Sequence, residues 1–362
     1  MKVLVYLGHP AQYLFLRATI KALLLNSKHH VLLVLKEKDV LEALVKNDGH
    51  SYIKITQNKK RTKLKMLLSL VYREIRFLIT AIKFKPDILI GTDPVVAHSG
   101  WLLHKPSIIT LEDDYNVIPK LAKITYPFCS KILVPIVCDV SLKYQYKKIG
   151  YEGYMKLGYL HPNIFSEDIN NLPSTQTPYI LIRLSSLQAH HDDNIGGISD
   201  SLLMKIVSIL KNYGDIFISS ERKLPECFSK YLLDIPNSDI HSFMYYSELF
   251  ISDSQSMSVE AAMLGTPSIR FSDFAGKISV LEELEHKYQL SYGIPTNEPE
   301  LLLDKIKELT DMPDRREIFQ KRRQKMLADK IDVTAFMVWF IENYPKSVEI
   351  MEENPDYQYR FK

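Results

Sequence analysis

A doubly wound α/β protein built as two successive halves is the architecture this sequence predicts, and three observations carry it. Short apolar runs, each followed by a tight loop and a helical stretch, recur through the first half of the chain. Strands that alternate with helices in this way predict crossover units and a parallel sheet covered on both faces. Between Asn163 and Pro178 the composition turns polar and proline-bearing (NIFSEDINNLPSTQTP), as a linker does, and the same grammar restarts at Tyr179. Such folds bind ligands beyond the carboxyl ends of their strands, so the cleft between the halves is the expected site.

The elements follow in order. Lys2–Leu7 (KVLVYL) reads as a buried strand, Gly8-His9-Pro10 as a tight loop, and the next stretch as a helix with Leu14, Ala18, Leu23 and Leu24 on one face. His30–Leu35 is a strand, Lys38–Lys46 a helix and Tyr52–Ile55 a strand, ahead of a long basic segment that ends at Lys85. Further strands start at Pro86, Pro106 and Lys131. In the second half Tyr179–Leu184 is a strand, Ser201–Tyr213 a helix and Asp215–Ser219 a strand. Leu249–Ile251 then runs into a polar turn, an alanine-rich helix, a Gly265-Thr266-Pro267 stop and another strand. The domains are therefore placed at 1–165 and 178–330.

Composition sets the limits. With 362 residues, 46% hydrophobic and 25% charged, the chain is long enough for about two ordinary domains and is not of the disordered or fibrous class. Cys129, Cys138 and Cys227 lie far apart with no CxxC pair, which argues against a disulfide framework or zinc site and fits a reducing cytoplasm. No run approaches the ~18 apolar residues of a membrane span, and the N-terminus lacks the features of a secretory signal. A net charge of +3 implies no nucleic-acid partner. The charge is uneven, however. Ten Lys or Arg fall between Lys54 and Lys85 against one acid, Glu74. Within 59–85 the cations interleave with Leu67, Leu68, Leu70, Val71, Ile75, Leu78 and Ile79, as in a core helix with a solvated basic face or in a helix that meets an anionic membrane.

The loops after the strands hold the candidate chemistry. In ISDSQSMSVEAAMLGTP, Ser256 or Ser258 is placed to cap the helix through Ala262. A helix N-terminus presents unpaired N–H groups and a partial positive charge that suit a phosphate. Glu260, roughly one turn further in, is able to reach a sugar hydroxyl beside it; the plain alternative is a capped core helix with an exposed glutamate. Arg183, Ser185 and Ser186 follow another strand and suit a diphosphate, because arginine offers a fork of donors. His190, His191, Asp192 and Asp193 read as a substrate-contacting or gating loop rather than a metal site, since adjacent residues chelate one ion poorly. His9 at the mouth of the first sheet is a candidate general base or a turn histidine. Asp93 and the triplet Glu112-Asp113-Asp114 also end strands, where a carboxylate binds hydroxyls or takes a proton.

FMYYSELFISDSQSMSVEAAMLGTPSIRF, with YILIRLSSLQAHHD and ISSERKLP, resembles a family of GT-B-fold proteins of bacteria and archaea catalogued as a domain of unknown function. That family is related to the nucleotide-sugar 2-epimerases and to the N-acetylglucosaminyltransferase that completes the lipid-linked peptidoglycan precursor. The resemblance spans roughly Met1 to Tyr344. It implies two Rossmann-like domains facing a cleft, the nucleotide diphosphate held mainly by the second, and a C-terminal helix (Asp332–Tyr344, within 331–362) that crosses back to the first. It further implies that Ser256, Met257 and Ser258 contact the diphosphate, largely through backbone N–H groups. Arg183, Ser185, Ser186 and Glu221 of ISSERKLP would lie on the same side, with Glu260 on the ribose. Finally, it puts His9, Glu112 and Asn116 at the cleft.

The expected activity is metal-independent transfer of a sugar from a nucleotide-sugar donor to a saccharide or lipid-linked acceptor in cell-surface polysaccharide synthesis. It would take place in the cytoplasm or at the inner face of the membrane, with His9 or else Asp113 as base and no cofactor besides the donor substrate. The alternatives are a nucleotide-sugar 2-epimerase or hydrolase, and a non-catalytic nucleotide-sugar-binding subunit. Epimerases carry Gly-Gly where this chain has Gln255-Ser256, and Gly-Thr-Arg where it has Gly91-Thr92-Asp93.

Overall fold

A computed structural model describes residues 1–55, 63–168, 178–186, 196–236 and 239–362. The linker and the His190–Asp193 cluster therefore fall largely or wholly outside the described residues. The chain divides into two compact units, residues 1–164 with 330–362, and residues 165–329.

The first unit runs β1 (Lys2–Leu7), α1 (Pro10–Leu25), β2 (His30–Lys36), α2 (Asp39–Asn47), β3 (Tyr52–Ile55), α3 (Lys63–Phe84), β4 (Ile88–Gly91), α4 (Pro94–Leu102), β5 (Ser107–Thr110), α5 (Pro119–Thr125), β6 (Lys131–Pro135), β7 (Lys148–Tyr151) and α6 (Leu157–Leu160). The second holds β8 (Tyr179–Leu184), α7 (Asp200–Leu210), β9 (Asp215–Ser220), α8 (Ile240–Tyr246), β10 (Leu249–Ser252), α9 (Gln255–Leu264), β11 (Ser268–Phe271), α10 (Ser279–Glu282), β12 (Ser291–Ile294), α11 (Pro299–Asp311) and α12 (Arg315–Asp329). The chain ends with α13 (Val333–Glu342) and α14 (Lys346–Glu353) in the first unit.

Every pairing in both sheets is parallel. The strands are accordingly near-continuous apolar runs, and β4, β5, β10 and β11 are buried at every residue. The orders are β3-β2-β1-β4-β5-β6-β7 and β12-β11-β10-β8-β9. Winding reverses between β1 and β4 in the first sheet and between β8 and β10 in the second. In an open parallel sheet the loops diverge at such a switch point, and that is where a crevice forms.

Helix boundaries depart from expectation in two informative places. The face that α1 buries is Tyr13, Leu16, Ile20 and Leu23, whereas Leu24 is exposed. The N-cap of α9 is Ser254, not Ser256 or Ser258: its Oγ accepts from the Met257 N–H at 3.5 Å. The stop is as read. Gly265 sits at φ 71° and returns its N–H to the carbonyls of Ala261 and Ala262, a conformation that a Cβ disfavours. At the C-terminus, Asp332 caps α13, whose Phe336, Met337 and Phe340 are buried, and the Thr334 hydroxyl donates to Gly158 O at 3.1 Å.

Candidate functional site

In the second unit, the chain leaves β8 at Ser185 and β10 at Asp253, on the two sides of the switch point. The buried Asp253 ties these loops together. Its Oδ1 accepts from the Ser185 N–H at 2.7 Å and from its hydroxyl at 2.9 Å, and its Oδ2 accepts from the Ile198 N–H at 3.4 Å. Burial pushes the carboxyl up from its ordinary pKa against the pull of these donors.

The mouth of α9 opens immediately after Asp253. Ser258 is fully buried, and both its N–H and its hydroxyl donate to Ser254 O, at 3.2 and 2.9 Å. Met257 N–H is taken by the cap. Ser258 and Met257 therefore do not offer the donors expected of them. The N–H groups of Gln255 and Ser256 have no partner among the described residues, as the first helical donors usually lack one. One turn deeper lies Glu260, 6% exposed rather than on the surface, with its Oε2 3.4 Å from Nε2 of His241 on α8.

The other expected donors are gathered at the same sheet end, but bonded to one another. Arg183 Nη1 donates to Ser219 Oγ at 2.7 Å, and Nη2 pairs with Glu221, whose Oε2 accepts from the Ser186 N–H at 3.2 Å. Arg183 thus braces the β8 and β9 loops instead of presenting its fork, and Ser185 is spent on Asp253. Gln255, which stands where epimerases carry a glycine, is folded aside. Its Nε2 donates to Ser272 Oγ at 2.5 Å, and its Oε1 accepts from Arg270 Nη1 at 3.1 Å. Arg270 is fully buried, with Nε and Nη2 unbonded and Glu282 Oε1 3.8 Å from Nη2.

No role was expected of Arg270, His241 or Asp253, and Gln255 stood out only as a departure from the Gly-Gly of epimerases. A charged residue inside the buried strand SIRF was the available signal for Arg270, since a lone buried charge needs a partner.

In the first unit the switch point brings together Gly8-His9 after β1 and Thr92-Asp93 after β4. Gln12 Oε1 accepts from the Gly8 N–H at 2.7 Å and its Nε2 donates to the Thr92 hydroxyl. His9 is the N-cap of α1, and its Nδ1 accepts from the Ala11 N–H at 3.2 Å. The Nδ1 lone pair is thus used on the helix cap, where a general base was expected from the sequence. The acidic triplet separates by role. Glu112 accepts from the Met155 N–H at 2.7 Å and from Lys156 Nζ at 2.9 Å, so its carboxylate, a catalytic candidate in the sequence, is held in an ion pair. The buried Asp114 accepts from the Asp139 N–H at 2.7 Å, while Asp113 is exposed. Asn116 is exposed as well.

A family model described as a protein of unknown function, DUF354, matches residues 2–345. The chain belongs to that family. No curated protein is similar enough to this DUF354 member to count as a match. Its likeness to solved structures is one of fold, an α/β fold that matches GT-B proteins. The UDP-GlcNAc 2-epimerase of Neisseria meningitidis bound to UDP-GlcNAc is 16% identical with a TM-score of 0.66, covering 88% of this chain and 94% of that one. The S. aureus MnaA structure with UDP is 15% identical with a TM-score of 0.67, covering 96% and 97%. The spinosyn rhamnosyltransferase SpnG complexed with thymidine diphosphate is 15% identical with a TM-score of 0.62, covering 95% and 100%.

Proposed function

We propose that this DUF354 member is a glycosyltransferase that moves a sugar from a nucleotide-sugar donor to a saccharide or lipid-linked acceptor in cell-surface polysaccharide synthesis. The observation that carries the reading is the mouth of α9. Two N–H groups with no partner among the described residues, on Gln255 and Ser256, open the helix that carries Glu260 four to five residues further along. That is the arrangement for holding a diphosphate at a helix N-terminus with a ribose hydroxyl on the acid. The same N–H groups and the helix dipole stabilise the charge that builds on the departing diphosphate. Deprotonation of the acceptor hydroxyl then falls to Asp113, the exposed acid of its triplet. No resident cofactor enters the reaction.

The 2-epimerase reading is favoured by the epimerases among the similar folds. Against it stands the local sequence, Gln255-Ser256 where epimerases carry Gly-Gly and Gly91-Thr92-Asp93 where they carry Gly-Thr-Arg. Incubation with UDP-, TDP-, GDP-, CDP- and CMP-sugars separates the readings. Transfer predicts release of nucleotide only when an acceptor is added. A sugar epimerised without acceptor makes the chain an epimerase, and binding without turnover makes it a non-catalytic subunit.

The acceptor side of the proposal draws on α3. Phe77 and Ala81 face the core, while Val71, Ile75, Ile79 and Ile82 are 46%, 52%, 42% and 52% exposed beside the exposed Arg76 and Lys83. The outward stripe is thus apolar and flanked by cations, not simply a solvated basic face. A groove of ≈ 340 Å³ lined by Leu32, Ile53, Ile79 and Phe84 adjoins it. Such a surface suits an anionic lipid headgroup layer, where lipid-linked acceptors reside. Among the described residues no helix is long and apolar enough to cross a membrane. Sedimentation with phosphatidylglycerol vesicles should therefore be lost in Ile75→Ser/Ile79→Ser. Binding unchanged by that pair of substitutions would remove the membrane from the account.

A further inference from the structure

Two cations lie on one face of the first sheet beside its switch point: Tyr6 and Val34 are in register on β1 and β2, so Lys36, two residues on, faces the same side as Tyr6, to which Arg73 donates. Arg73 reaches from α3 to Asp93 Oδ2 at 3.1 Å and to the buried Tyr6 hydroxyl at 3.4 Å. The other Asp93 oxygen caps α4 by accepting from the Val95 N–H at 3.3 Å, so this carboxylate has little left to give. Arg73 Nε is buried with no partner. Lys36, the last residue of β2, is half-buried and makes no hydrogen bond or ion pair among the described residues. Burial and then repulsion from Arg73 hold its ammonium below the usual lysine range, with Asp93 pulling the other way.

Two partly desolvated cations on one face, with a single carboxylate that is bonded to one of them, are unfavourable unless a further anion completes the set. We propose that Lys36 and Arg73 form an oxyanion site at the carboxyl ends of β1, β2 and β4 that takes a phosphate group. Lys36 supplies a mobile ammonium and Arg73 its unbonded Nε–H, while Asp93 and Tyr6 hold the guanidinium in place. The site is built from residues of the unit that does not carry the α9 mouth. Only the assignment of the phosphate to an acceptor substrate rests on the transfer reading.

The test is equilibrium binding of inorganic phosphate and of dodecyl phosphate to the full chain, in the wild type and in Lys36→Met and Lys36→Arg, with thermal melting as the control for folding. Lys36→Met is expected to weaken both probes at least ~10-fold, and Lys36→Arg to retain them. Dodecyl phosphate binding tighter than phosphate in a Lys36-dependent way identifies a lipid-borne source, and equal affinities a free phosphate; either supports the site. Affinities in Lys36→Met equal to the wild type overturn it. A Lys36-dependent phosphate in a protein that transfers no sugar would sink the transfer reading and leave this site standing.

Discussion

Gln255 and Arg270 hold each other at the mouth of α9: the carboxamide Oε1 accepts from the guanidinium Nη1 at 3.1 Å, and the Gln255 Nε2 is anchored to Ser272 at 2.5 Å. The bond keeps a bulky side chain out of the space in front of the helix and gives a buried arginine one of its few partners. Gln255→Ala should therefore lower stability by about 1–3 kcal/mol, because a buried donor is left unsatisfied. Gln255→Glu should restore a partner for Arg270 while setting a negative charge beside the proposed diphosphate. Nucleotide affinity is expected to fall at least ~10-fold in that variant with melting temperature maintained. Parallel calorimetry and thermal melts check both.

Gly293 makes room for the same arginine. A Cβ there would lie 2.5 Å from Arg270 Nη2 and 3.1 Å from Glu285 Oε2. Gly293→Ala is expected to cost about 1–3 kcal/mol in denaturant unfolding, as overpacking of a rigid site does.

These two positions show how far the sequence was legible. The two doubly wound sheets could be read because buried parallel strands are near-continuous apolar runs, as in KVLVYL and YILIRL, and the helix stop at Gly265 because it has a local cause. The cap at Ser254 was misplaced by two or four residues, at Ser256 or Ser258, among several hydroxyls of equal local merit. Arg270 with Gln255, Arg183 with Glu221 and Arg73 with Asp93 are pairs joined across 15, 38 and 20 residues. No local pattern announces such partners, so roles assigned to Arg183, Ser185 and His9 from their types alone missed the bonds that occupy them.

His98 links three helices of the first unit. Its Nδ1 lies 2.9 Å from Glu74 Oε1 on α3, and its Nε2 2.7 Å from Ile124 O on α5. Both partners accept, so the ring serves best as an imidazolium. The hydrogen bond to Glu74 raises its pKa above the ordinary 6.5, burial opposing. A raised folded-state value gives stability that is fully present below pH 6.5 and lost as pH climbs through the raised pKa. Melting temperature should fall over that interval in the wild type, and the decline should be shallower in His98→Gln.

The three cysteines should differ in reactivity. Burial pushes the Cys129 thiol up to about 11 and raises Cys138 well above its usual range, whereas Cys227 is exposed. Because the thiolate is the reacting form, a thiol reagent at pH 8 should label one cysteine per native chain and all three in guanidinium. Rapid native labelling of Cys129 would show that the turn between α5 and β6 opens readily.

Titration of uridine and thymidine diphosphates into wild-type protein and Glu260→Gln tests the central claim most directly. The account predicts one nucleotide per chain, bound at least ~10-fold more weakly by Glu260→Gln while the melting temperature of the unliganded variant stays near that of the wild type. Equal affinity in the two proteins, or no nucleotide bound by either, would contradict the placement of a nucleotide-sugar site at α9.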